Sequence, residues 1–191
     1  EGFLAFFEPF LERNPERQIE IIRIFEDGPW VFCSAFQSLN GGEAKWVTMD
    51  LFYTDQDGLV LEHWDTIAAY SDDTASGNDM VGGPNEVDRD ADTQANKALV
   101  LEYTKQVLQE AAPEKIAGFV AEGFIAHAPN VANNLAGLSA WLASPEFGRY
   151  EFLFQLMGQG DFVVTYGKRH ALRKDVAVFD VCRCKGGKIV E

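Results

Sequence analysis

Apolar and polar positions along this chain recur with two different periods, and their order predicts the elements. Residues 2–12 place Phe3, Phe6, Phe7, Phe10 and Leu11 at the spacing of one helical face, which Asn14-Pro15 ends, so a short amphipathic helix is expected there. From Gln18 to Phe25, Trp30 to Phe36, Trp46 to Tyr53 and Leu59 to Ile67, β-branched and aromatic residues dominate between turn signals at Asp27-Gly28, Asn40-Gly41-Gly42 and Asp55-Gln56-Asp57-Gly58. These read as four consecutive antiparallel strands, a meander able to curl around a helix. Residues 71–92 are Ser, Asp, Gly, Asn and Pro with few large apolar groups, and read as a linker that buries little surface. Asn96 through Glu110 carries Leu99, Val100, Tyr103, Val107 and Leu108 on one stripe, with Thr93 as cap, and predicts a helix. Pro113 opens a second short helix through Val120, Gly123–His127 reads as a short strand and Leu135–Ala143 as a third helix. The remaining strands are expected at Tyr150–Leu156, Phe162–Gly167, Val176–Cys184 and Lys188–Glu191. Helices first and antiparallel strands afterwards make an α+β layer pattern.

The sheet-building pattern is spelled twice, the helical pattern that should precede it only once. Gly2-Phe3-Leu4-Ala5-Phe6, Gln18–Arg23, Gly28–Phe32, Asp50-Leu51-Phe52 and Gly58–Glu62 are answered in the same order by Gly137–Trp141, Tyr150–Phe154, Gly160–Val164, Asp180-Val181-Cys182 and Gly187–Glu191. The offset drifts from 135 to about 129, as short loop insertions would produce. The expected organisation is a first module over residues 1–70, an acidic linker over 71–95 and a second module over 96–191. The first copy begins after its own helices should have passed, and the second stops at the Glu that the first follows with His-Trp-Asp. That is the pattern of a chain clipped at both ends, or permuted.

Charge narrows the partners. The net charge of −14 would repel a phosphate backbone, so nucleic acid is not expected as a partner. Residues 1–95 hold 20 acidic and 5 basic side chains, residues 96–191 hold 10 and 11, so the acidity belongs to the first half, where a solvated face accounts for it. No run approaches the roughly 18 apolar residues of a membrane span. Three cysteines, Cys33, Cys182 and Cys184, in a chain that is 47% hydrophobic favour a reducing compartment, and the cytoplasm is the expected location.

Phe124-Ile125-Ala126-His127-Ala128-Pro129 resembles the aromatic-Ile-x-His-x-Pro strand of SnoaL-like proteins, in the nuclear-transport-factor-like superfamily that also holds ketosteroid isomerase and scytalone dehydratase. Glu62-His63-Trp64-Asp65, preceded by Asp50-Leu51-Phe52 and Asp57-Gly58, is similar to the same family's strand carrying Glu-His-Trp-Asp. Gly83-Pro84-x-Glu86-Val87 and the Asp that follows, with Thr93-x-x-Asn96-Lys97, are similar to junctions in its tandem-domain members. The resemblance implies a cone-shaped, curved antiparallel sheet packed on helices, in tandem modules of which the first lacks its N-terminal helices. It also implies a small apolar carbonyl ligand and acid/base isomerisation, cyclisation or aldol-type chemistry. Because the fold hosts unrelated functions, a non-catalytic ligand-binding or dimerisation module, as an intramolecular pseudo-dimer or a homodimer through sheet faces, stands beside it.

Alternate residues of a strand share a face, so His63 and Asp65 point together while Glu62 and Trp64 point the other way. In an apolar cavity such a pair could take a proton from carbon next to a carbonyl, Asp65 as base and His63 as donor or orienting group. A structural hydrogen bond at a strand end is the competing role. Ligand contacts are expected at His127, Trp64, Tyr53 and Asp50, with backbone capping the alternative for His127 and structural support the alternative for Asp50, which Asp180 matches in the second copy. Cys182 and Cys184 share a strand face without two further spaced ligands, and Asp88-Arg89-Asp90-Ala91-Asp92 lacks the Gly and Glu of a calcium loop, so no metal site is assigned. No Gly-rich phosphate loop or Gly-x-Ser-x-Gly elbow occurs; the chemistry expected is cofactor-free.

Overall fold

A computed structural model describes residues 2–191; Glu1 and the side chain of Phe3, one of the predicted helical stripe, lie outside the described residues. Helix α1 (Gly2–Arg13) leads into strands β1 (Arg17–Asp27), β2 (Trp30–Leu39), β3 (Ala44–Thr54) and β4 (Val60–Ala69). After a long connection come α2 (Thr93–Tyr103), continued by a wider π-type turn over Thr104–Gln109, a 3-10 segment over Pro113–Gly118, and α3 (Asn134–Leu142). Strands β5 (Arg149–Gln159), β6 (Phe162–Ala171), β7 (Lys174–Lys185) and the two-residue β8 (Lys188–Ile189) follow. The protein is thus α+β, with two four-stranded antiparallel sheets in the orders β1-β2-β3-β4 and β5-β6-β7-β8.

Register decides which residues share a face. In the first sheet Phe25 pairs with Phe32, Phe32 with Leu51 and Leu51 with Trp64. This row faces Met157, Phe162 and Val164 of the second sheet, and together they form one buried cluster. Phe25 stacks on Phe162 at 4.8 Å between ring centroids and on Phe32 at 5.7 Å. The opposite face of the second sheet, through Val163, Cys182 and Cys184, packs against Val100, Tyr103 and Val107 of the helical segment. The opposite face of the first sheet meets α1, where Phe10 stacks on Trp46 at 6.5 Å, while Ile19, Ile21, Ile24 and Ile67 remain exposed.

The sequence reading is amended in three places. Asp92, not Thr93, caps α2 by accepting from the Ala95 N–H at 3.0 Å, and the Thr93 hydroxyl instead accepts from the Gly160 N–H at 2.9 Å. Gly123–His127 forms no strand, because the Asn133 side chain takes the Ala126 N–H and the Asn134 N–H goes to Phe124. Residues 71–92 carry no helix or strand, yet are held in place by polar contacts where apolar burial is scarce. Asn78 donates to the Ala126 carbonyl and to Asn133 Oδ1, both at 2.9 Å, the Asp88 N–H reaches Asp161 Oδ1 at 2.9 Å, and Arg23 reaches the Gly82 and Pro84 carbonyls. Gly160 turns β5 into β6 at φ +60°, and any β-carbon there would collide with the Asp88 carbonyl, so the turn and the connection fit only with glycine.

Candidate functional site

Strand pairing brings three of the predicted polar residues to one small region. Asp50 lies opposite Asp65, and Phe52 opposite His63, so Asp50, His63 and Asp65 share a face. The geometry joins His63 to Asp50 rather than to Asp65: Nε2 sits 2.9 Å from Asp50 Oδ1, and the imidazole lies flat on Phe52 at 4.6 Å and 6°. This is the face turned away from the sheet interface, and both His63 and Asp65 are exposed. Among the described residues both side chains are thus open to solvent, unlike the closed apolar hollow expected around the pair. Trp64 points the other way, as alternation requires, and packs on Trp30 at 5.6 Å and Phe154 at 5.2 Å. Tyr53 packs on Trp30 at 4.9 Å, within the same aromatic row.

His127 is already partnered on both ring nitrogens. Nδ1 meets the Asp79 carbonyl at 2.6 Å and Nε2 meets Glu191 Oε1 at 2.7 Å. The other Glu191 oxygen takes Arg183 Nε at 2.7 Å and Nη2 at 2.6 Å. Both ring nitrogens thus face oxygens, one of the connection and one of Glu191. In place of the ligand contact expected of it, His127 fastens the connection to the end of the second sheet.

The second sheet holds the more distinctive carboxylate. Asp180 sits on β7 between Val178 and Cys182, on the face that packs against α2, just beyond the stretch paired with β8. Its surface remains open to water-sized contact, yet its carboxyl is desolvated as an enclosed group would be. Burial pushes the Asp180 carboxyl above the usual range, with the Arg169 charge and a hydrogen bond from Thr165 opposing (Oγ1 to Oδ2, 3.4 Å). The charge of Asp180 in turn reaches Tyr103 and Tyr150, whose hydroxyls burial first, then nearby acidic groups, push up. Tyr150 is fully buried, its hydroxyl sealed beside Thr165 and over Gly167, where a β-carbon would strike that oxygen. The sequence pairs Asp180 with Asp50 by position, but both tyrosines read there only as core or strand residues. A hydroxyl inside an otherwise apolar row was the available signal.

The raised value carries a testable sign. The folded state favours the protonated Asp180, so its contribution to stability is fully present below the ordinary carboxylate pKa of about 3.9 and is lost as pH rises through the raised value. Asp180→Asn keeps the shape without the charge. It is expected to raise Tm at neutral pH and to leave it unchanged in acid; a lowered Tm at neutral pH would show that Thr165 and Arg169 outweigh the desolvation.

One group could in principle hold a cation: ligand atoms of Glu151, His170 and Asp175 lie within 4.8 Å of one another. Lys168 already stands between them, 2.9 Å from Glu151 and 2.8 Å from Asp175, so the cluster reads as an ion-pair network. Cys182 and Cys184 are buried free thiols, both pushed up by burial, as core residues would be. No helix among the described residues is long and apolar enough to cross a membrane. No family model matches the chain, and no curated protein matches it.

Proposed function

We propose that this chain is a tandem SnoaL-like protein that binds a small, mostly apolar carbonyl compound and shifts a proton on the carbon next to the carbonyl without a cofactor. Its two curved-sheet modules, the first lacking its N-terminal helices, pair through their sheet faces. The recurrence of helix then antiparallel meander, and the aromatic cluster shared by both sheets, support that organisation. The observation that carries the chemistry is Asp180, a carboxylate on the helix-facing side of β7 whose basicity burial raises and which Thr165 holds at 3.4 Å. Desolvation makes the carboxylate a better base. Asp180 takes the proton.

The test is deuterium exchange into a panel of cyclic ketones, read by NMR, for the parent chain, Asp180→Asn and Asp65→Asn. Loss of a positioned general base is expected to slow exchange by at least about 100-fold in Asp180→Asn and to leave Asp65→Asn unaffected. The parent rate should rise with pH through the raised Asp180 value, since only the ionised carboxyl accepts a proton. Ketone binding without exchange in the parent would make this a ligand-binding module, and slowing only in Asp65→Asn would return the chemistry to the first sheet.

A further inference from the structure

Register lines the two sheets up position for position. Cys33 pairs with Asp50 as Thr165 pairs with Asp180, and Val31 with Phe52 as Val163 with Cys182. On the neighbouring strands Ile24 pairs with Cys33 as Leu156 does with Thr165, and Ile21 with Ala35 as Leu153 does with Gly167. The irregularities agree too, since β1 shifts register between Ile21 and Arg23 and β5 at the matching place, between Leu153 and Gln155. Phe32 and Leu51 meet Val164 and Val181 in the shared aromatic cluster, so the sheets stand back to back through matching sides.

Their outer faces also match in position, and there the sheets differ in what covers them. On the second sheet Val163, Cys182, Leu153 and Leu156 pack with Val100, Tyr103 and Val107 of α2 and the turn that continues it. On the first sheet Ile21 and Ile24, at the places of Leu153 and Leu156, are exposed, as are Ile19 and Ile67 on the same face, all by 55–63%. Helix α1 meets that face at Trp46, through Phe10. Four large β-branched side chains on one side of a sheet, turned away from the sheet interface, form an apolar patch of the kind that marks an interaction surface.

We infer that the outer face of the first sheet docks an amphipathic helix, packed on it as α2 packs on the second sheet. The occupant carries apolar side chains at the i, i+3, i+7 spacing of Val100, Tyr103 and Val107, because that stripe is what fills the matching face. Three gaps between four strands span about 14 Å, which roughly ten helical residues cover. The chain makes its sheet-to-sheet contact through the inner sides and its helix-to-sheet contact through the outer side, so a helix and not another sheet fits this patch. The docking face draws on the two-module organisation proposed above and not on Asp180, and a peptide readout holds or fails apart from ketone exchange.

The test titrates the parent chain with a synthetic peptide of residues 93–110, followed by methyl NMR and circular dichroism. The peptide should shift Ile19, Ile21, Ile24 and Ile67 saturably while gaining helix, which a segment of that length holds poorly alone. The same peptide carrying Val100→Asp and Val107→Asp should bind at least roughly tenfold more weakly, since each change would bury a carboxylate without a partner. Ile21→Glu in the protein, at an exposed position, should abolish binding and leave Tm unchanged. Shifts confined to Leu153, Leu156 and Val163 would mean exchange with the chain's own α2, and isoleucine shifts that grow with protein concentration in the absence of peptide would give the face to a second copy. Either result, or no binding at all, overturns the docking face.

Discussion

Phe25→Ala is expected to lower stability by about 3–5 kcal/mol, a large part of the roughly 5–15 kcal/mol available to a domain. The side chain is 1% exposed and is the ring through which the first sheet stacks on the second. Its removal deletes contacts with Phe32 and Phe162 at once, and neither partner can collapse into the space without breaking strand pairing. Ile24→Ala is the control: one residue away, 55% exposed, and on the opposite face, it should cost well under 1 kcal/mol. Urea unfolding with both variants reads the difference directly. A single transition moved far to lower urea by Phe25→Ala alone would show that the sheets unfold as one unit. Equal costs for the two variants would remove the shared aromatic cluster as the core of the molecule.

That cluster was legible in outline from the amino-acid order, and the reasons show where such reading stops. Strand alternation separates Trp64 from His63 and Asp65 without any coordinates, because successive side chains leave opposite faces. What alternation cannot supply is which face something else will cover. The same rule that pairs His63 with Asp65 also places Asp50 within reach across the strand, and the nearer acceptor won. Capping was displaced in a similar way: Thr93 and Asp92 are both competent caps, and a distant turn at Gly160 claimed the threonine. The polar stretch over residues 71–92 was read from its lack of apolar residues, which forecasts little burial. Its order comes from side chains such as Asn78 and Asp161, whose partners lie tens of residues away. Asp180 illustrates the same limit at the candidate site, since a carboxylate in a strand declares neither its depth nor its neighbours.

The second large effect is expected at Glu191. Its side chain is 9% exposed and joins three parts of the structure: Arg183 on β7, His127 on the loop before α3, and, through His127, the Asp79 carbonyl of the connection. Glu191→Ala leaves the Arg183 guanidinium without its anion and the His127 Nε2 without its partner, a loss of roughly 3 kcal/mol for a mostly buried pair. Gly83 packs against the same carboxylate at φ +84°, so the connection has no larger side chain to move into the gap. Glu191→Gln is the discriminating variant. Its amide oxygen can still accept from Arg183 while its NH2 donates to a neutral His127 Nε2, and His127 Nδ1 keeps its donation to Asp79; the cost should be no more than about half that of alanine. Equilibrium unfolding gives the two costs, and hydrogen exchange at residues 78–83 shows whether the connection is released. Exchange there should rise sharply in Glu191→Ala and little in Glu191→Gln. If both variants lose the same stability, charge and not hydrogen bonding holds the junction; if neither does, the connection is secured by Asn78 and Arg23 alone.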